Sequence, residues 1–206
     1  PDDDAVQLTP AATVKSGAAQ ATVTASELSD AVAKAKEKGI KIIAVAPVIT
    51  GDAGSVSVTL PRVPLTALSL VAGLSLTVET PLGAVTLPGN AIAAALSAGD
   101  GTTLTVRMEK VETKALTAAQ QELLEGKTAY RVAILCGEDT LTDFNGTPIS
   151  ITLPYSLQAN ETSDMVRMMR LTDGNLLVET PFVHDSGKAT FSTPFPALYG
   201  IGYETQ

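Results

Sequence analysis

The sequence predicts a mainly β protein, a β-sandwich with several short helices, and three observations carry that expectation. One phrase occurs three times in the first half: a β-type run, a small-residue helical stretch, then a second β-type run. The copies begin at Ala21-Thr22-Val23-Thr24, Val58-Thr59-Leu60-Pro61 and Val85-Thr86-Leu87-Pro88. In the second half, short alternating apolar runs are separated by Gly, Pro and Asx turn signals at the spacing of a sandwich. All eight aromatic residues lie at or after Tyr130, so an aliphatic core is expected in front and a ring-anchored one behind. A boundary is expected near residues 112–127. It separates an aliphatic strand-helix-strand lobe, 1–115, from an aromatic-containing sandwich lobe, 116–206. Two packed lobes and one continuous domain are both open.

The elements follow in order from local chemistry. Thr24 with Glu27 three residues on has the form of a capping box, and Leu28, Val32 and Ala35 recur at helical spacing up to the stop at Gly39. Ile40 to Ala46 is β-branched and apolar enough for a strand that Pro47 ends. Val56, Val58 and Leu60 alternate with small polar residues, the period of a strand with one buried face. Pro61 and Pro64 lead into a short helix around Leu65 to Val71, closed by Gly73, and Leu74, Leu76 and Val78 alternate again. The third copy compresses the plan. Val85 and Leu87 form a strand, Ala91 to Ser97 a small helix, and Gly99-Asp100-Gly101 a turn into Leu104, Val106 and Met108. Each unit is too weak to stand alone and must pack on its neighbours.

Thr117 to Leu124 reads as one more short helix, ended by Glu125-Gly126-Lys127. Strands are expected at Ala129 to Cys136, Ile149 to Leu153, Met165 to Leu171, Leu176 to Thr180, Ala189 to Phe191 and Leu198 to Tyr203. Asp173-Gly174-Asn175 and Asp185-Ser186-Gly187-Lys188 have the chemistry of hairpin turns.

Composition narrows the function. The chain has 206 residues, 45% hydrophobic and 17% charged, with a net charge of −8, the profile of a folded globular protein. An acidic chain with no Lys/Arg cluster is repelled by phosphate backbones and anionic lipid, which argues against nucleic acid as a partner. No apolar run approaches the roughly 20 residues needed to span a bilayer, so membrane insertion is not expected. Cys136 is the only cysteine; it can form no internal disulfide and no thiolate zinc cluster, and it reads as a small buried apolar residue. The opening Pro1-Asp2-Asp3-Asp4, without methionine or signal peptide, reads as a segment cut from a longer polypeptide.

Candidate chemistry is sparse. A repeated scaffold with no repeated reactive residue suggests construction material, since a catalytic site leaves a localized polar cluster. His184 is the only histidine, and its neighbours Asp185 and Ser186 share its turn, whereas triad members come from separate segments; an exposed hairpin residue is expected. Asp2, Asp3 and Asp4 lack the alternating spacing of a calcium loop. Asp100, Asp143, Asp173 and Asp185 fit turn positions, and the glycines mark turns and form no phosphate loop. Glu79, Glu109 and Glu179 lie on strands, where a glycosidase pair would need carboxylates about 5–10 Å apart. Asn160-Glu161-Thr162 reads as a polar loop. Met165, Met168 and Met169 beside Arg167 and Arg170 form either a soft contact surface or, through alternation, part of the core. No catalytic residue, metal ligand or cofactor is assigned, and no binding residue is fixed.

Several segments in order carry a family resemblance. They are Leu76-Thr77-Val78-Glu79-Thr80-Pro81-Leu82-Gly83, Val85-Thr86-Leu87-Pro88, Asp143-Phe144-Asn145-Gly146, Ile151-Thr152-Leu153-Pro154-Tyr155, Leu171-Thr172-Asp173-Gly174-Asn175, Ala189-Thr190-Phe191-Ser192-Thr193 and Leu198-Tyr199-Gly200-Ile201-Gly202-Tyr203. Over residues 55–203 the chain resembles the β-sandwich module that often precedes S-layer homology repeats in Gram-positive surface proteins. The resemblance implies an Ig-like or ZU5-like sandwich in a secreted, extracellular, cell-wall-associated protein. Its partners would be neighbouring domains of the same polypeptide and cell-wall or surface ligands, and its role that of a non-catalytic spacer or presentation module. Members commonly read His-Phe-Ser before the last strand, a self-cleavage-like tripeptide. This chain has Pro194-Phe195-Pro196, which holds neither base nor nucleophile.

Two rival expectations remain. A carbohydrate- or protein-binding (adhesion) module would bring Tyr155, Tyr199 and Tyr203 to the surface together. A hydrolase would need a cleft joining two of the strand glutamates, or His184 with acidic partners.

Overall fold

The computed structural model describes residues 4–172 and 176–204. Asp2, Asp3 and the Asp173-Gly174-Asn175 turn lie outside the described residues. Along the chain run β1 (Val6–Leu8), β2 (Thr13–Lys15), β3 (Ala18–Thr22), α1 (Ala25–Lys38), β4 (Ile42–Val45), β5 (Ser55–Pro61), α2 (Arg62–Ser69), β6 (Ser75–Thr80), β7 (Gly83–Pro88), α3 (Gly89–Ser97) and β8 (Thr103–Val111). Then follow α4 (Ala118–Leu124), β9 (Thr128–Cys136), β10 (Asp139–Leu141), β11 (Ile149–Pro154), β12 (Val166–Leu171), β13 (Leu177–Glu179), β14 (Val183–Asp185), β15 (Lys188–Thr193) and β16 (Leu198–Tyr203). Among the described residues the fold is mainly β, with two mixed sheets and four α-helices.

The caps read in the sequence are made. Thr24 Oγ1 accepts from Glu27 N at 3.2 Å while the Glu27 carboxylate accepts from Thr24 N at 2.8 Å, and Gly39 closes α1 at φ +68°. Those hydrogen bonds from Thr24 hold the Glu27 carboxyl below its ordinary value. A second capping box, Thr117 with Gln120, opens α4. Helices α2 and α3 begin earlier than expected, directly after Pro61 and Pro88, which end a strand and serve as N-cap together. Pro64 fits in the first turn of α2 because the N–H it lacks would have had no intrahelical partner.

The seven-stranded sheet has the order β1-β4-β6-β7-β11-β15-β14; the other, nine-stranded, runs β13-β12-β16-β9-β8-β5-β3-β2, with β10 also on β9. Each strand-helix-strand phrase therefore crosses between sheets. β3 and β5 belong to the nine-stranded sheet and β4 and β6 to the other, while the third phrase crosses back from β7 to β8. The first two copies lie side by side through parallel pairs, β3 with β5 and β4 with β6. The third is antiparallel to the second, with β7 on β6 and β8 on β5. These directions place α1, α2 and α3 at one end of the sandwich, where α2 packs between the other two.

Both sheets take strands from either side of residue 115, and β8 pairs with β9 from Leu104↔Cys136 to Val111↔Ala129. One core results. Leu28, Leu65, Leu68 and Ile92 of the helices share it with Val58, Leu76, Val85, Ile134, Phe144, Ile151, Phe191 and Tyr199. The separate aliphatic and aromatic cores expected from composition are thus merged, because sheet pairing brings distant strands face to face. A smaller cluster of Val111, Leu116, Leu124, Ala129, Leu171 and Leu198 forms where α4 covers the outside of the nine-stranded sheet. Gly200 makes room there, since a Cβ would strike Leu124.

Arg62 joins the helical end. Its guanidinium donates to the carbonyls of Leu96 (2.6 Å), Gly99 (2.8 Å) and Gly101 (2.9 Å). It thereby serves the carbonyl-rich C-terminus of α3, where a cation is favoured. Next to it, a Cβ on Gly101 would overlap the Gly137 backbone. In urea unfolding monitored by circular dichroism, Thr24→Ala is expected to lower stability by about 1 kcal/mol. Gly101→Ala is expected to cost about 3 kcal/mol, at the upper end for overpacked sites.

Candidate functional site

A groove opens where β9 changes partners. Along its first half β9 pairs with β16, up to Leu198↔Arg131; along its last turns it pairs with β10, from Leu141↔Ile134 onward. Between these ladders the chain departs through Thr142 and Asp143 and returns through Pro194 to Ala197, so on the edge away from β8 the Val132–Ala133 stretch is bridged by Val132 N to Ala197 O at 3.0 Å. The resulting cavity measures about 560 Å³, and Gln120, Arg131, Asp143, Arg170, Thr172 and Phe195 are among its lining residues. That volume lies within the range of small-molecule clefts.

Buried Tyr199 fixes the loop that forms one wall. Its hydroxyl donates to the Phe195 carbonyl four residues upstream at 2.5 Å, and the Tyr199 Oη also lies 3.3 Å from Thr193 Oγ1. Phe195 N donates to that threonine hydroxyl at 3.2 Å. A buried tyrosine tied back to the preceding backbone is a corner device of sandwich domains. Its ring lies 4.7 Å from that of Phe191, and burial pushes the hydroxyl pKa up to about 12. The loop so fixed presents the Phe195 ring to Arg170, whose Cζ sits 4.1 Å from the ring centroid. Arg131, from β9, meets Glu109 at 3.2 Å. Asp143 Oδ1 accepts from Gly146 N at 3.4 Å, the turn role its sequence position suggested.

His184 is placed differently from its expectation. It lies half-buried on β14, with Nε2 2.8 Å from the Tyr155 carbonyl and Nδ1 3.0 Å from Ser163 Oγ. The carbonyl can only accept, so Nε2 carries the hydrogen and Nδ1 takes the serine's. Asp185 ends β14 exposed and Ser186 sits in the exposed turn after it, with Ser186 at φ +50° and Gly187 at φ +75°; neither hydrogen-bonds the imidazole. Ser163 was not among the sequence candidates, because its link to His184 joins segments 21 residues apart. Among the described residues no carboxylate hydrogen-bonds this imidazole, and the pair serves to pin the 155–163 loop. In the same loop Tyr155 Oη donates to Glu161 at 3.2 Å, and burial together with that carboxylate raises the phenol's pKa.

The remaining candidates are scattered. Glu109 and Glu179 sit on strands separated in the nine-stranded sheet by β9, β16 and β12, a span of about 19 Å at the usual strand spacing. Glu79 points outward from the other sheet. The strand glutamates therefore make no acid/base pair. Tyr199 is fully buried while Tyr155 and Tyr203 are half-exposed, so the three rings form no common platform. Met168 is buried, with Met165 and Met169 half-exposed beside it. Cys136 is buried, its Sγ 3.5 Å from an Arg62 Nη and from the Gly99 carbonyl. Asn160 lies in an exposed turn. Among the described residues, no three His, Cys, Asp or Glu side chains gather as metal ligands, and no helix is long and apolar enough to cross a membrane.

No protein-family model matches the chain, and no curated protein matches it.

The groove had weak sequence signals. Arg170 and Phe195 were both visible, the first as a charge among methionines and the second between prolines, yet nothing local couples them. The Tyr199 bond yields a pH expectation. Its phenol must stay protonated in the fold, and the unfolded chain releases that proton near pH 10, so stability is intact below pH 10 and falls as pH rises towards about 12. Denaturation followed across that window is expected to show the loss, and Tyr199→Phe to reduce it. At neutral pH the same substitution is expected to cost about 1 kcal/mol for the missing hydrogen bond.

Proposed function

We propose that the chain is a non-catalytic structural module of a secreted, cell-wall-associated bacterial surface protein, holding neighbouring domains of the same polypeptide apart. The observation that carries this reading is the lacing of the two sheets. Three strand-helix-strand units each bridge both sheets, and one core spans strands from β1 to β16. A body so tied resists separation into layers, because pulling the sheets apart would expose the whole apolar interior at once. The family-like segments over residues 55–203 support the same placement. Among the described residues the strand glutamates do not converge, and the single histidine is engaged in holding a loop.

A second reading, a carbohydrate- or protein-binding module, is favoured by one observation, the groove with its two arginines.

The spacer role is tested by pulling the chain from both ends in single-molecule force spectroscopy between marker domains. The expected outcome is one rupture releasing about 3.6 Å per residue over nearly the full length. A staircase of small low-force extensions would refute a rigid spacer.

A further inference from the structure

The two sheets end together on both sides of the sandwich. The first crossing unit joins β3 to β4, so their outer neighbours β2 and β1 share one flank; on the other the chain passes from β13 to β14 through residues 180–182. Each of these four edge strands is three residues long, and among the described residues each leaves one side of its backbone without a ladder. Natural edges are guarded by charge, proline, a covering element or brevity. Brevity is the guard here, and it weakens a further ladder without forbidding one. At the β13–β14 flank Leu176 is 68% exposed and Val183 71%, with Val178 exposed between them; Ile42 and Val48 are exposed beside β1 and the segment that follows it. An open edge with apolar side chains is a template for another strand.

Direction and charge select the partner. From β2 across to β13 neighbouring strands reverse six times. From β1 across to β14 they reverse four times. Both counts are even, so a copy displaced sideways without inversion brings β2 parallel to β13 and β1 parallel to β14 in one step. Lys15 is the only charged residue in β1 and β2, whereas β13 carries Glu179 and β14 Asp185, and all three are exposed. Lys15 ends β2 and Glu179 ends β13, so the parallel arrangement sets opposite charges at the same end of the junction. A two-fold contact of the β13–β14 flank would press its acids against the same acids of the other copy.

We propose that the chain associates with further copies of itself head to tail, β13 and β14 of one against β2 and β1 of the next. The inference goes beyond the spacer role and does not depend on it. Two three-residue ladders bury far less than a stable dimer needs, so the contact is weak and open-ended.

The test is sedimentation velocity of the chain up to about 1 mM, the range of a contact this small. The average mass is expected to rise with concentration past the dimer and to fall back in high salt. Lys15→Glu sets an acid on each flank, and the double variant Glu179→Lys with Asp185→Lys sets a base on each. Each alone is expected to weaken association about fivefold, the scale of an exposed ion pair. Mixed one to one, the two are expected to recover it, because every junction then joins flanks of opposite charge. Circular dichroism checks that both variants fold. A monomer at every concentration would overturn the proposal, as would a Lys15→Glu chain that associates like the unmodified one or a mixture no more associated than its parts. Association that stops at the dimer would overturn the head-to-tail geometry.

Discussion

The crossing of each strand-helix-strand unit from one sheet to the other is the constraint on which the remaining structure depends. Because α1, α2 and α3 must all turn over the same end of the sandwich, that end is closed by helices whose apolar sides face the gap between sheets. Their small residues, Ala31, Ala35, Ala91 and Ala95, let them lie close to the strand ends. Arg62 then satisfies the carbonyls that α3 leaves at its C-terminus, using hydrogen bonds to neutral dipoles instead of an ion pair. Sheet pairing, helical closure and the clamp are consequences of one connection pattern.

The opposite flank is built on different principles. Here α4 rests outside the nine-stranded sheet over Gly200, and the β16 strand is anchored by a hydroxyl-to-carbonyl bond within its own approach loop. The groove sits where these two devices meet a change of partner along β9. Its chemistry follows from that place: Arg131 comes from a continuous strand, Phe195 from the tied loop and Arg170 from the next strand over. An exposed sheet break would ordinarily fill with water, and the ring under Arg170 is what gives the site a fixed cationic face.

What could be read from the residues alone was what is decided locally. The Thr24–Glu27 cap, the stop at Gly39, the alternation of Val56, Val58 and Leu60 and the turn at Ser186-Gly187 depend on neighbours within a few positions. The parallel pairs β3–β5 and β4–β6 could not be read, because a strand's alternation reports a buried face and says nothing about its partner. Three-residue strands such as β1, β2 and β10 are too short to show a period. The merging of the aliphatic and aromatic parts into one interior, the Arg170–Phe195 stack and the Ser163–His184 bond all join segments far apart in sequence. Such partnerships are properties of the topology.

The pairing pattern also fixes an order of events on the ribosome. By the time Val111 has emerged, the three crossing units have all their mutual partners, and β5, β6, β7 and β8 can close on one another. The other flanks of β7 and β9 then wait for strands made much later, since Val85 pairs with Ile151 and Arg131 with Leu198. Such long-range closure is slow, and a half-built sheet carries open ladders that invite association with other chains. Nascent protein is therefore most exposed to aggregation during synthesis of its last third, the interval in which a chaperone would have most to protect.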